Sequence, residues 1–389
     1  MSALVPSVIH FSVTDSVNKP ATHPLKRLLL ISACLLPLAC SGACALGRAI
    51  WSPAALPPEV ESHLAKTADG WEIQLLHYAP RSPLPGRRPL LLVHGIVTNV
   101  RNLDYDAKHS LARAMAARGI DTWAISLRGT GGSSRASLVG GDKSYDWDFD
   151  SYCTQDLPAA IALVTAKTGS PQVDFAGHSM GGMILYCLLA RGGPPAEAIG
   201  AAATLGSPLG FRWGARFTAV AKATVAAAAR LPVVKLDAPT LLALPLLSWA
   251  PELAGLILYN QRNLDPAVWS GFLAVGVEDE SPLLMAQFSR FLESDRFTSR
   301  DGALDYEALL RTVKTPVLVV AGKVDQLGFT PLVHRGYDAL GGEKAWLLIA
   351  EENGASADYG HMDLLLGEQA DADVFEPLAQ WFAARAARK

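Results

Sequence analysis

The stretch VDFAGHSMGGMILYCLLA, from Val173 to Ala190, decides how the rest of the chain is interpreted. An apolar run ends in glycine, a single serine follows between glycines, and a run of helix-forming residues comes next. This order predicts a buried strand that turns sharply into a helix. Ser179 then lies in the turn, which lifts its hydroxyl out of the sheet.

The five residues Gly177, His178, Ser179, Met180 and Gly181 match the nucleophile-elbow pattern G-x-S-x-G. The positions two before and two after the serine lie against its backbone, so only small side chains fit there, and Gly177 and Gly181 meet that need. The amide of Met180, at the helix N-terminus, is placed to donate to a developing oxyanion. His178 is expected to point away from the site and to pack. A tight helix entry that merely needs glycine is the alternative interpretation.

A serine nucleophile needs a base and an acid, which in this arrangement follow in the order serine, acid, histidine. Asp325 comes just after the apolar run TPVLVVAG, and His361 lies on a loop after the last predicted strand. We therefore predict Ser179, His361 and Asp325 as a triad. Asp358 and Asp363 flank His361, but neighbours along the chain seldom face the same imidazole. The alternatives are a capping aspartate and a loop histidine.

The stretch LLVHGIVTN, Leu91–Asn99, predicts a second strand end at the same edge of the sheet. The backbone amide of Ile96 would complement that of Met180 in an oxyanion hole. His94 and Gly95 would shape the loop. An ordinary strand end is the other interpretation of this stretch.

Short apolar runs alternate with helical patterns through most of the chain, which predicts an α/β fold with a mostly parallel, doubly wound sheet. The predicted strands lie within 71–80, 88–95, 120–129, 171–177, 198–208, 315–322 and 345–354, and the helices within 102–119, 156–169, 180–193 and 375–387.

The alternation stops between Pro208 and Thr315, and the intervening sequence indicates several helices. A structureless loop of that length is implausible in a compact domain. We predict an inserted helical cap over 209–299, with the core formed by 46–208 and 300–389. The content of apolar residues in Leu236–Tyr259 is higher than a solvent-exposed lid requires. The cap is expected to gate an apolar pocket, although it could instead shield the sheet or dock on a membrane.

Residues 1–45 form a separate segment, in which HPLKR precedes the apolar run Leu28–Leu46. Basic residues before such a run are typical of an export signal, with cleavage after Ala45. The run is also long enough to span a bilayer uncleaved, and Cys34 or Cys40 could be a lipidated cysteine. A buried helix is the remaining interpretation. We expect an exported or membrane-associated protein, whether periplasmic, secreted or a lipoprotein.

The 389 residues carry a formal net charge of −3, which gives no electrostatic reason to expect a nucleic-acid partner. No P-loop, dinucleotide fingerprint or zinc spacing is present, so neither a cofactor nor a metal is predicted. Cys153 and Cys187 are expected to be small buried thiols. The sequence leaves the oligomeric state open.

The motifs VHG, GHSMGG, AGKVDQLG and GHMD occur in this order and resemble the α/β-hydrolase superfamily from about Glu72 to the C-terminus. Within it the chain is similar to the acid-lipase-like group, because Tyr145–Gly169 resembles the segment that precedes the elbow in those lipases. The elbow carries Met180 where that group usually has glutamine. The resemblance implies a carboxylic-ester hydrolase acting on fatty-acyl esters.

The resulting hypothesis is a serine esterase or lipase that binds an acyl ester or lipid, with possible membrane association through its N-terminal segment. An acyltransferase or a thioesterase would use the same triad, and haloperoxidase-like activity also uses serine. An inactive binding module is a further alternative. It normally goes with a lost triad residue, and no triad residue is missing here.

Overall fold

A single sheet organises the chain in the computed structural model, which describes residues 56–212, 215–236, 240 and 257–386. Within these residues eight strands pair in the order β1-β2-β4-β3-β5-β6-β7-β8. Their bounds are Glu61–Lys66 (β1), Glu72–Tyr78 (β2), Leu90–Val93 (β3), Thr122–Ser126 (β4), Val173–His178 (β5), Ile199–Leu205 (β6), Val317–Gly322 (β7) and Lys344–Ile349 (β8).

Strands β3 to β8 are parallel, whereas β1 and β2 add antiparallel strands at one edge. The predicted mostly parallel sheet is therefore confirmed. The edge strand β1 precedes the first strand that the sequence predicts, which lies within 71–80. Its sequence ESHLAK contains few apolar residues, and Leu64 is 54% exposed. The sequence therefore shows no hydrophobic pattern for this strand, which is defined by its pairing with β2.

Eight helices of seven or more residues are described: Leu111–Ala117 (α1), Leu157–Thr168 (α2), Met180–Arg191 (α3), Ala215–Ala228 (α4), Pro266–Gly276 (α5), Pro282–Ser294 (α6), Thr330–Ala339 (α7) and Glu376–Ala384 (α8). Shorter helical turns are Val100–Asn102, Phe149–Ser151, Tyr152–Asp156, Pro194–Glu197, Tyr306–Leu309, Leu310–Thr312, Glu351–Asn353, Asp363–Leu366 and Asp371–Phe375.

Helix α1 begins later than the sequence predicts. The helical pattern suggested a start near Asn102, but the side chain of Ser110 accepts a hydrogen bond from the Arg113 amide and caps the helix there. The preceding Asp104 is buried and binds Arg113 and the Tyr78 hydroxyl. These contacts hold the preceding segment in a non-helical path.

Two buried apolar clusters cover the two faces of the sheet. One contains Ile161 of α2 and Tyr186 of α3, and the other contains Met115 of α1 and Phe382 of α8. Because helices pack on both faces, the doubly wound arrangement is confirmed. The carboxyl ends of the parallel strands remain as the edge where loops meet.

Helices α4, α5 and α6 lie between β6 and β7, where the cap is predicted. Trp269 of α5 belongs to one buried cluster and Phe291 of α6 to the other, so the insertion extends both cores. The stretch Leu236–Tyr259 lies mostly outside the described residues. The boundaries 209–299 and the gating role stay predictions.

Two acidic residues, Glu278 and Glu280, fasten this insertion to the core. Glu278 accepts hydrogen bonds from Asn99 Nδ2 and the Arg135 guanidinium. Asp279, between them, forms an ion pair with Lys235 within the insertion itself. Glu280 accepts from the Trp147 indole and the Tyr152 hydroxyl, and burial raises the pKa of its carboxyl to about 7.

The expectation for the two cysteines is wrong, because Cys153 and Cys187 form a disulfide with their Cα atoms 6.0 Å apart. Cys153 lies in the helical turn before α2, and that turn packs against α3, which carries Cys187. Helix packing brings the two thiols together across 34 positions, which spacing alone does not reveal. A disulfide is typical of proteins in oxidising compartments.

The predicted export or anchor segment 1–45, with Ala45, Cys34 and Cys40, lies outside the described residues. Among the helices that the structure describes, none has both the length and the apolar character needed to cross a bilayer.

Candidate active site

Ser179 lies in a strained turn between β5 and α3. Its backbone φ of 55° and ψ of −120° are unusual for a residue with a side chain. The neighbours His178 and Met180 are buried, whereas Ser179 is partly exposed. The turn therefore presents the serine hydroxyl at the carboxyl end of the sheet, as the sequence predicts.

The two glycines of the motif allow this turn. A Cβ atom on Gly177 would lie 2.4 Å from the carbonyl carbon of Gly181, and one on Gly181 would lie 2.4 Å from the carbonyl oxygen of Val93. Neither distance is compatible with any side chain. The motif G-x-S-x-G therefore has glycine at these two positions because β3, β5 and the first turn of α3 pack closely there.

Asp325 and His361 meet at the same edge of the sheet. His361 Nδ1 donates a hydrogen bond to Asp325 Oδ2 over 2.7 Å, and both side chains are buried. The other carboxylate oxygen of Asp325 accepts from the amides of Leu327 and Gly328. The proton on Nδ1 leaves Nε2 with its lone pair, which is the form that a general base requires.

The other two carboxylates near His361 have different partners. Asp358 accepts from the amide of Glu351 and lies 3.5 Å from Lys323 Nζ. Asp363 is buried and accepts from the amide of Gly360 and the side chain of Asn263. Burial raises the pKa of Asp363 to about 6. The geometry brings Asp325 alone of the three carboxylates to His361 Nδ1, although the role of each stays a prediction.

Asp363 connects the loop of His361 to the insertion. Besides Asn263, the amide of Asn260 points at its carboxylate, and the amide of Met362 donates to the carbonyl of Leu258 over 2.8 Å. Residues 258–263 therefore bind the loop that carries His361. The sequence suggests Asp363 only as a possible triad acid, and no sequence pattern indicates this contact with the insertion.

His178 is buried, as expected, but it does not point away from the site, because its ring lies 4.7 Å from the ring of His361. Its Nε2 lies 3.1 Å from the carbonyl oxygen of His361, and its Nδ1 lies 3.1 Å from Asn102 Oδ1. Burial lowers the pKa of His178 well below its usual value. A neutral His178 thus links the elbow to the backbone of the His361 loop, and no sequence signal singled out Asn102.

The loop that carries Ile96 is fixed from two sides. Buried His94 accepts from the Leu127 amide at Nε2 and lies 2.8 Å from the Gly95 carbonyl at Nδ1, and burial lowers its pKa to about 4. The carbonyl of Val97 accepts from the amide of Glu278.

Gly95 lies beside the elbow, because a Cβ atom there would be 3.2 Å from the Cβ of Ser179. The loop of Ile96 and the first turn of α3 therefore flank Ser179. The first amides of a helix lack intrahelical acceptors, so the Met180 amide can bind an anion. The oxyanion roles of Ile96 and Met180 stay predictions.

Gly206, directly after β6, is a site residue to which the sequence analysis gave no role. Its φ is +57°, and a Cβ atom there would lie 3.1 Å from both Asp325 Oδ2 and His361 Nδ1. Gly328 also approaches closely, because its Cβ would be 2.7 Å from Asp325 Oδ2. The position of Gly206 immediately after a predicted buried strand is the sequence feature that could have indicated its place in the site.

Comparison with known proteins agrees with this geometry. The model of a family described as the alpha/beta hydrolase fold matches residues 88–367. Gastric triacylglycerol lipase from Bos taurus is 27% identical over 190 residues, covering 44% of this chain and 47% of that protein. The human lysosomal acid lipase/cholesteryl ester hydrolase is 30% identical over 128 residues, covering 31% of this chain and 32% of that protein.

The chain spans less than half the length of these two curated relatives. Among solved structures, a thermophilic esterase from Thermogutta terrifontis has a TM-score of 0.55 at 15% identity, covering 84% of this chain and 99% of that one. This likeness supports the fold alone. Together the matches confirm the resemblance to acid lipases that the sequence suggests.

We predict that Gly206→Ala lowers ester turnover at least tenfold, because the methyl group would press on the hydrogen bond between Asp325 and His361. Gly302→Ala is the matched control: its φ is +74°, but nothing lies within 4 Å of a Cβ there. Each substitution carries a similar backbone penalty of about 1–2 kcal/mol. Steady-state kinetics and thermal unfolding of both variants check this. An equal loss of turnover in the two would contradict the assignment of Gly206 to the site.

Proposed function

Because this chain belongs to the α/β-hydrolase family, we propose that it is a serine hydrolase that cleaves carboxylic esters through an acyl-enzyme on Ser179. The observation that carries the proposal is the buried hydrogen bond between His361 and Asp325, at the edge of the sheet where the strained turn presents Ser179. Strands β5, β7 and β8 each contribute one group at their carboxyl ends, where sites in open parallel sheets lie.

In the first half of the reaction, Ser179 Oγ attacks the ester carbonyl carbon and His361 Nε2 takes the hydroxyl proton. The imidazole becomes positively charged, and the carboxylate of Asp325 stabilises that charge. When the tetrahedral intermediate collapses, the bond to the alcohol oxygen breaks and His361 returns the proton to the leaving alcohol. Water then repeats the sequence on the acyl-enzyme and releases the acid.

The negative charge on the carbonyl oxygen is stabilised by the amides of Met180 and Ile96. Helix α3 begins at Met180, so its dipole adds to the effect. The rigid anchoring of the Ile96 loop by His94 and Glu278 supports this role, because preorganised donors cost no reorganisation during the reaction.

Fatty-acyl esters are the proposed substrates, and the catalytic step uses no cofactor. The printed names of the relatives, a triacylglycerol lipase and an acid lipase/cholesteryl ester hydrolase, support this substrate class. The apolar sequence Leu236–Tyr259 in the proposed cap supports it as well. The disulfide between Cys153 and Cys187 supports an exported or membrane-associated location.

We predict that Asp325→Asn lowers kcat on a p-nitrophenyl ester by a factor of up to about 10⁴, because the amide would impose the wrong imidazole tautomer. Asp358→Asn is the matched control and should keep kcat within about twofold, because that carboxylate faces Glu351 and Lys323. A nearly unchanged Asp325→Asn beside an inactive Asp358→Asn would show that the wrong carboxylate was assigned.

We also predict that the specificity constant rises with acyl length over several methylenes and then falls. Each methylene buried under the cap would stabilise binding by up to about 0.8 kcal/mol. Soluble p-nitrophenyl esters of increasing acyl length, assayed below their micelle-forming concentrations, measure this. A steady decline from acetate onward would mean a small pocket, and the gating role of 209–299 would have to be abandoned.

Adding a short alcohol to the same assay distinguishes hydrolysis from acyl transfer. A hydrolase releases mainly free acid, whereas an acyltransferase converts most of the acyl-enzyme to the new ester. Predominant ester formation at low alcohol concentration would favour the acyltransferase alternative.

A further inference from the structure

Three residues whose side chains can bind a metal ion lie close together at the antiparallel edge of the sheet. Glu61 and His63 lie two residues apart on β1, so their side chains share a face. His77 on β2 is the direct cross-strand partner of Glu61 and shares that face too. We call Glu61, His63 and His77 the edge cluster.

The ligand atoms of the edge cluster are close enough to share one ion. His63 Nε2 lies 3.1 Å from Glu61 Oε2, and His77 Nδ1 lies 3.8 Å from the same oxygen. All three ligand atoms lie within 4.8 Å of one another. Zinc binds imidazole nitrogen and carboxylate oxygen at about 2.0–2.2 Å, so neighbouring ligands of a tetrahedral ion are roughly 3.4 Å apart. The observed separations bracket that value.

Asp121 orients His77 from behind. His77 Nε2 lies 2.5 Å from Asp121 Oδ1, so the other ring nitrogen, Nδ1, is the atom that lies on the side of Glu61. A carboxylate behind a ligating histidine is the usual outer partner in zinc sites.

Both histidine rings are held in place without an ion. His77 stacks on Trp123 with ring centroids 4.0 Å apart, and the His63 ring lies 5.2 Å from the same indole. The two histidine side chains are each 17% exposed, whereas that of Glu61 is 68% exposed. The site is therefore preorganised on one side and open to solvent on the other.

The local charge also favours a divalent cation. Glu61 and Asp121 contribute two carboxylates beside the two imidazoles. In the part of the chain that the structure describes, these carboxylates lie beside histidine nitrogens and form no ion pair with a lysine or an arginine. A divalent ion would compensate both negative charges.

We propose that Glu61, His63 and His77 bind a divalent transition-metal ion, with zinc as the best match to two imidazoles and a carboxylate. Asp121 holds His77 from behind, and water completes the coordination. Asp121 precedes β4, whereas Ser179 follows β5, and both strands run parallel to β3. The site therefore lies toward the opposite end of the parallel strands from Ser179, where an ion fastens β1 to β2.

The test is zinc binding by the purified chain after treatment with a chelator, measured by competition with a chromophoric zinc indicator. Glu61→Gln and His63→Gln should each remove the high-affinity zinc ion, because each deletes a ligand. Asp121→Asn should weaken binding by about 10–100-fold, as expected for loss of an outer-shell partner. Free zinc at about a hundred times the dissociation constant should raise Tm of the wild type by roughly 5 °C, and leave these ligand variants unshifted.

His334→Gln is the matched control, because His334 also lies 3.0 Å from a carboxylate, that of Asp338, but forms no three-ligand cluster with the residues that the structure describes. It should keep the full affinity and the full shift in Tm. The metal-free Tm of Glu61→Gln should equal that of the wild type, since that side chain is largely exposed. Equal zinc affinity in the wild type, Glu61→Gln and His63→Gln would overturn the proposal, as would the absence of a zinc-dependent shift in Tm of the wild type.

Discussion

The backbone strain at Ser179 is the constraint on which the rest of the site depends. A residue with a side chain holds a φ of 55° only when its surroundings impose that conformation. Here the surroundings are two backbone contacts, made at Gly177 and Gly181, which bring the end of β3, the end of β5 and the start of α3 against one another. The same compression points the serine hydroxyl out of the sheet and aims the first amides of α3 at the space beside it. A substitution at either glycine would therefore displace three elements together.

The second half of the site depends on a loop that is held from both sides. Asp325 fixes one edge of the His361 ring, and His178 reaches the backbone of His361 from the elbow. Asp363, two residues after His361, binds the asparagines at 260 and 263, which belong to the proposed cap. Movement of that insertion would be transmitted to the loop of His361 through these polar contacts. The contacts of Glu278 and Glu280 with the core oppose such movement near the loop of Ile96.

The sequence predicts those parts of the molecule whose structure is determined by the residue pattern of one short stretch. The elbow requires glycines at fixed spacing, and the parallel strands are continuous apolar runs, so Ser179, Asp325 and His361 could be assigned to strand ends. The features that it misses arise from contacts between distant segments. Strand β1 exists because it pairs with β2, and the disulfide joins two helical segments that meet only in the fold.

The edge cluster was hidden for the same reason. No metal site is predicted from the sequence, because zinc motifs are recognised by spacing along the chain. Glu61, His63 and His77 come together through strand register, and Asp121 joins them from the start of another strand. Asn102 and Gly206 likewise acquire their roles only when loops meet at the carboxyl edge of the sheet.

The most direct measurement of the central claim is covalent labelling of Ser179 by a serine-directed phosphonate, followed by intact-mass and peptide analysis. The account predicts one adduct per chain on the wild type, located on the peptide that contains Ser179, and no adduct on Ser179→Ala. It also predicts that prior incubation with a hydrolysable ester slows labelling of the wild type. Equal labelling of the two proteins, or an adduct on another residue of the folded wild type, would contradict the account.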